Sequence, residues 1–155
     1  MREIMSLEEF NRKIKRVIIS EEEIRTAIQN AAAEINSMYD GRPILLVSIL
    51  KGAFVFMADL CRAVTVPCEI GFMCAKSYYS GTVSAGEVSI TMDLEQDISN
   101  YHVVIIEDIV DTGRTLKDVV NLLKKRGPIS LTVILTPEPQ HNLIFKSDTR
   151  KKRKY

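Results

Sequence analysis

Short apolar runs alternate with amphipathic helical segments along this chain, and that alternation limits the possible folds more than any other feature. PILLVSILKG, CEIGFMCA, the VVII of HVVII and LTVIL are apolar runs of strand length. Strands of that kind are buried on both faces, as in a parallel sheet covered by helices. The intervening segments carry helical spacing. Ser20-Glu21-Glu22-Glu23 reads as a capping box, and Ile24, Ala27, Ile28, Ala31, Ala32 and Ile35 then recur on one face. Together they predict a helix from Glu21 to Met38, broken at Asp40-Gly41. A strand over Ile44–Leu50 follows, then a helix over Ala53–Ala63 with Phe54, Met57, Ala58 and Cys61 on one face, suited to either core or interface. Pro67 precedes the CEIGFMCA strand, SYYSGTVSAGE reads as a loop, and VSITMDL alternates weakly as a further strand. His102–Ile106 is another strand. Arg114–Lys125 is a helix with Leu116, Val119, Val120 and Leu123 facing inward, and LTVIL follows Gly127-Pro128 as a strand. The expected class is α/β, a mostly parallel central sheet flanked by helices on both faces.

At 155 residues the chain has the size of one domain with a real core. A formal net charge of +1 gives the whole molecule no strong electrostatic address, but its distribution is uneven. The last ten residues hold six basic side chains against one Asp, so the chain before them is acidic on balance. Cys61, Cys68 and Cys74 match no zinc spacing, and their odd number argues against a disulfide framework. They read as reduced thiols of a cytoplasmic protein. The N-terminus MREIMSLEEF is too charged for a signal peptide, and no apolar run approaches the roughly 18 residues of a membrane span.

The chemistry gathers in VVIIEDIVDTGRTL, Val103 to Leu116. A buried strand runs straight into Glu107 and Asp108, where an unpaired carboxylate would cost several kcal/mol inside the core. The pair must therefore sit at the mouth of the strand. In α/β sheets that rim is where ligands bind, and it also receives Lys51-Gly52 from the first strand. Asp111-Thr112-Gly113-Arg114-Thr115 joins strand to helix, so its amides and the positive helix end suit an anion such as a phosphate. The same Asp and Thr are also ordinary helix caps. Adjacent on a strand end, Glu107 and Asp108 point to opposite sides and cannot share a proton. They suit either a Mg²⁺ ion with oxygen ligands or the hydroxyls of a sugar.

VVIIEDIVDTGRTL resembles the phosphoribosyl pyrophosphate motif of type I phosphoribosyltransferases, in the form carried by the hypoxanthine-guanine enzymes. ILLVSILKGAFVFMADLCR is similar to that family's pyrophosphate loop, and KSYYSGTVSAGE to its mobile lid. The match runs in the family's order over roughly Arg16 to Leu135. The resemblance implies transfer of the phosphoribosyl group from phosphoribosyl pyrophosphate to a 6-oxopurine, hypoxanthine or guanine, giving IMP or GMP and pyrophosphate. It further implies Mg²⁺ as cofactor, a homo-oligomer (dimer or tetramer), and residue roles. Lys51 and Gly52 would bind pyrophosphate, with a cis Leu50–Lys51 peptide. Ser77 and Tyr78 would belong to the lid, and Glu107 and Asp108 would hold the ribose hydroxyls and the metal. Asp111 would accept the purine's proton, while Thr112, Gly113, Arg114 and Thr115 would cradle the 5′-phosphate, Arg114 through its amide.

After Leu135 the chain leaves the family's pattern. TPEPQHNLIFKSDTRKKRKY does not match the family's purine-binding hood, and its prolines favour extended backbone. The expected organisation is a core domain over 1–136 and a disordered basic tail over 137–155, the hood being truncated or altered. The tail is a weak candidate for nucleic-acid binding, having no interleaved aromatics before Tyr155. The alternative to an active enzyme is a module that binds phosphoribosyl pyrophosphate without turnover.

Overall fold

A computed structural model describes Glu8 and residues 17–77, 88–107, 113–135 and 144–147; for 76, 77, 88 and 144–147 it describes the backbone alone. The first helix, α1, spans Glu21–Tyr39 and begins as the sequence dictates. Ser20 accepts from the Glu23 amide at 3.2 Å, while the Glu23 carboxylate accepts from the Ser20 amide at 2.7 Å. That reciprocal bond holds the Glu23 carboxyl below its usual pKa, chiefly through the Ser20 amide. Ser20→Ala is expected to lower stability by about 1 kcal/mol, read as a fall in the urea midpoint at constant slope. Asp40 closes the helix in the left-handed region at φ 47°.

Strand β1 (Ile44–Leu50) is followed by α2 (Phe54–Ala63), β2 (Cys68–Ser77), β3 (Val88–Met92), a 3₁₀ turn at Ile98–Asn100, β4 (His102–Glu107), α3 (Arg114–Lys125), β5 (Ser130–Leu135) and β6 (Ile144–Ser147). The described strands form one sheet in the order β3-β2-β1-β4-β5-β6. The inner four, β2-β1-β4-β5, are parallel, and β3 and β6 are antiparallel edges. The α/β class expected from the sequence is the class observed.

Alternation along β1 and β4 divides the core. Ile44, Leu46, Val104 and Ile106 pack beneath α1 and α2 with Ile28, Ile35, Met57 and Leu60. Leu45, Val47, Val103 and Ile105 face α3 with Val119 and Leu123, and Ile98 seals that side. Every residue from Ile44 to Ile49 is buried, which is why β1 shows no polar alternation. α2 buries Phe56, Met57 and Leu60, whereas Phe54 is 55% exposed. At the lower end of the sheet, away from the rim, Tyr39 donates to Thr132 at 2.9 Å and its ring meets His102 at 5.3 Å.

Arg126, just past α3, grips Asp93 with two bonds of 2.9 and 2.5 Å and ties that helix to the segment after β3. The guanidinium holds the Asp93 carboxyl below its usual pKa. A carboxylate with a depressed folded-state pKa contributes stability above its unfolded value, lost as pH falls through the folded value. Because the pair is partly exposed, Arg126→Ala is expected to cost no more than about 1 kcal/mol near neutrality. Titrating both proteins by circular dichroism should show that difference shrinking as acid protonates Asp93, below about pH 4.

The C-terminal segment departs from expectation. Ile144–Ser147 is a strand, pairing antiparallel with β5 from Leu131↔Ser147 to Ile134↔Ile144, where the sequence suggested a tail without regular structure. Its order comes from the edge of β5, a partner remote in sequence.

Candidate active site

The order of the parallel strands reverses between β1 and β4. β1 leads on to β2 on one side, and β4 leads on to β5 on the other, so the two outgoing connections part at the upper rim. Such a divergence opens a crevice beyond the strand ends. Ser48 pairs with Ile106, which brings Leu50-Lys51 on one strand beside Glu107 on the next. Two sequence motifs separated by more than fifty residues thus share one rim.

On the β1 side the chain turns sharply. The Leu50–Lys51 peptide is cis, and Lys51 and Gly52 are exposed before Ala53 caps α2 without any side-chain bond. The turn therefore presents main chain, with Cys74 of β2 paired to Leu50 as its neighbour on the far side. Nothing in the Cys spacing indicated that Cys74 would stand there.

On the β4 side Glu107 is the last strand residue, half-buried and paired with Leu135. By alternation it lies on the face of Val103 and Ile105, the face α3 covers. Asp108, Asp111 and Thr112 lie outside the described residues, as does Tyr78; Ser77 ends β2, whose pairing with β3 runs to Val88. Chain order puts Asp108, Asp111 and Thr112 between Glu107 and Gly113.

The two long helices contrast at their N-termini. α1 carries the Ser20 cap and three Glu in its first turn, which neutralise its positive end. α3 begins at Gly113, in the left-handed region at φ 70°, with no side-chain cap and no acid in its first turn. The Asp and Thr that might have capped it in the sequence are not its cap residue. A first-turn N–H has no partner inside its own helix, and the cap residue Gly113 has no side chain to accept from it. With Thr115 half-buried in that turn, this end of α3 is suited to an anion.

Sequence reasoning missed Ser48, on β1 two residues before the turn. It is fully buried, and its hydroxyl has no hydrogen-bond partner among the described residues.

A phosphoribosyl transferase domain family model matches residues 18–151. That match passes Leu135, where the motif resemblance ended, and includes β6. The hypoxanthine phosphoribosyltransferase of Buchnera aphidicola subsp. Schizaphis graminum is 44% identical over 120 residues, covering 76% of this chain and 68% of that protein. The hypoxanthine-guanine phosphoribosyltransferase of Streptococcus pneumoniae is 38% identical over 132 residues, covering 84% of this chain and 73% of that one. The crystal structure of a hypoxanthine phosphoribosyltransferase from Staphylococcus aureus superposes with a TM-score of 0.75 at 40% identity, over 81% of this chain and 68% of the other. The mostly parallel sheet and these likenesses agree: the chain belongs to the phosphoribosyl transferase family, among the hypoxanthine-guanine phosphoribosyltransferases.

Proposed function

We propose that this chain salvages purines by transferring the phosphoribosyl group of phosphoribosyl pyrophosphate to hypoxanthine or guanine, with release of pyrophosphate. The observation that carries the reading is the meeting of the Lys51-Gly52 turn and the Gly113 start of α3, which has no acid in its first turn, on one rim at the reversal of strand order. The names of the relatives support the choice of reaction.

In this reading the amides of Lys51 and Gly52 take the pyrophosphate. Those of Thr112, Gly113, Arg114 and Thr115 take the 5′-phosphate, and Glu107 and Asp108 accept from the ribose hydroxyls. Oriented amides are suited to a leaving group that gains negative charge as the bond to the anomeric carbon breaks. Asp111 receives the purine's ring proton. Ser77 and Tyr78 belong to a lid that keeps water from the activated sugar. The donor set fits Mg²⁺, which binds through one or two carboxylates and completes its shell with water and substrate phosphates. Glu107 supplies a hard oxygen at the strand end, and no cluster of three ligating side chains stands among the described residues. When bound, the ion would neutralise the charge of the pyrophosphate.

The catalytic core is taken as 1–136, and 137–155 as a basic segment that adds β6 to its sheet and is assigned no nucleic-acid role. No helix among the described residues is long and apolar enough to cross a membrane, and we place the protein in the cytoplasm. Phe54, Val55, Phe72 and Met92 are each more than two-fifths exposed. Their apolar surface supports a homo-oligomer built on the side of α2 and the β2–β3 edge.

Incubation with phosphoribosyl pyrophosphate, hypoxanthine or guanine and Mg²⁺ tests the reading. Formation of IMP or GMP is expected. Binding of the sugar donor without turnover would instead favour the non-catalytic module, which no observation supports at present.

A further inference from the structure

Cys61 and Cys68 come together at the lower end of the molecule, away from the phosphate rim. Cys61 lies in the last turn of α2 and Cys68 opens β2; their sulfur atoms are 3.8 Å apart and both residues are partly exposed. Four of the six residues between them are held in place. The Val64 amide donates to Leu60 at 3.0 Å, and the Thr65 and Val66 amides donate to the Asn36 side chain at 2.8 and 3.3 Å. The Pro67 carbonyl accepts from the Ile44 amide at 2.9 Å. The approach of the thiols is thus set by the frame of α1, α2 and β1. A disulfide needs about 2.05 Å between sulfurs, a closure within reach of side-chain rotation.

We propose that Cys61 and Cys68 form a reactive dithiol, a modification site that a low-molecular-weight disulfide such as glutathione disulfide converts to an internal Cys61–Cys68 bridge. The Cys61 thiolate attacks one sulfur of glutathione disulfide, breaking its S–S bond and releasing one glutathione thiolate, which takes up a proton. The Cys68 thiolate then attacks the Cys61 sulfur of the mixed disulfide and expels the second glutathione. Two protein thiols are oxidised, one disulfide is reduced, and two glutathione molecules leave. Burial, with the adjoining Cys61, pushes the Cys68 thiol above its ordinary pKa. Cys74, paired with Leu50 at the opposite end of β2, takes no part.

The native full chain is treated with glutathione disulfide at about pH 8.5, near the ordinary thiol pKa, and followed by intact mass and peptide mapping. The expected result is a protein lighter by two hydrogens, with Cys61 joined to Cys68 and dithiothreitol restoring the starting mass. Cys74→Ser should give the same bridge. Cys61→Ser and Cys68→Ser should each stop at a glutathione adduct on the remaining member of the pair. The proposal is overturned by a stable glutathione adduct on the unsubstituted pair, by bridges only between chains, or by reaction confined to Cys74. It is equally overturned if the pair reacts only in denaturant, which would make the 3.8 Å approach mere packing.

Discussion

Gly113→Val is expected to weaken binding of phosphoribosyl pyrophosphate on the order of 10²-fold or more, measured by calorimetry with Mg²⁺ present. Gly113 stands at φ 70° and ψ 0°, where a side chain costs about 1–2 kcal/mol of stability in free and bound protein alike. The affinity loss comes from a branched Cβ in the approach to the first-turn amides of α3, where a hydrogen bond to a charged group is worth about 1.5–3 kcal/mol. At about 1.4 kcal/mol per tenfold, loss of one or two such bonds reaches that range. Gly127→Ala is the control. Gly127 also has a left-handed φ, of 72°, but it stands beyond the other end of α3 with open space around its Cα. It should lose stability and keep its affinity. Equal affinity losses in the two variants would show that backbone strain alone, and not the anion site, is being read.

Asp111→Asn is expected to lower kcat by about 10²–10⁴-fold, the usual contribution of a positioned acid–base group, and to leave affinity for the sugar donor within a few-fold of the parent. The amide keeps the size of the side chain and its capacity to accept a hydrogen bond, but not its capacity to take up the purine's proton. A loss confined to KM would mark Asp111 as a binding group only. These two variants separate the phosphate cradle from the chemistry, because one acts through main chain at the helix start and the other through a side chain two residues earlier.

The inner strands were legible because burial on both faces leaves an unbroken apolar run, and the start of α1 because Ser20 and Glu23 form their bonds locally. Element ends were less so. β2 runs to Ser77 and β4 to Glu107 because ladder pairing to Val88 and Leu135 continues where hydrophobicity stops. In β6 the determinant is non-local: IFKS is too short a run to read as a strand by itself, and the antiparallel ladder on β5 supplies it. At the site, Glu107 at a strand mouth and Gly113 at a helix start stand where the sequence put them, and the α/β pattern already set Lys51-Gly52 on the same rim. That β1 and β4 are direct neighbours is fixed by the strand order, which no local pattern encodes. The inward face of α2 was left open because helical spacing alone does not fix the phase of a short apolar helix; Ala53 and Phe56 settle it by packing with β1. The Cys61–Cys68 approach was invisible for a similar reason, since it joins a helix end to a strand start through a loop held by Asn36.

The claim on which the account rests is that main-chain amides at two strand ends take hold of one pyrophosphorylated sugar. Amide hydrogen exchange of the native chain, with and without phosphoribosyl pyrophosphate and Mg²⁺, measures this directly. Slowed exchange is predicted at Lys51–Ala53 and at Gly113–Leu116 together, with Glu21–Glu23 of the self-capped α1 unchanged. Protection at one of the two rims alone, or equally at the start of α1, would contradict it.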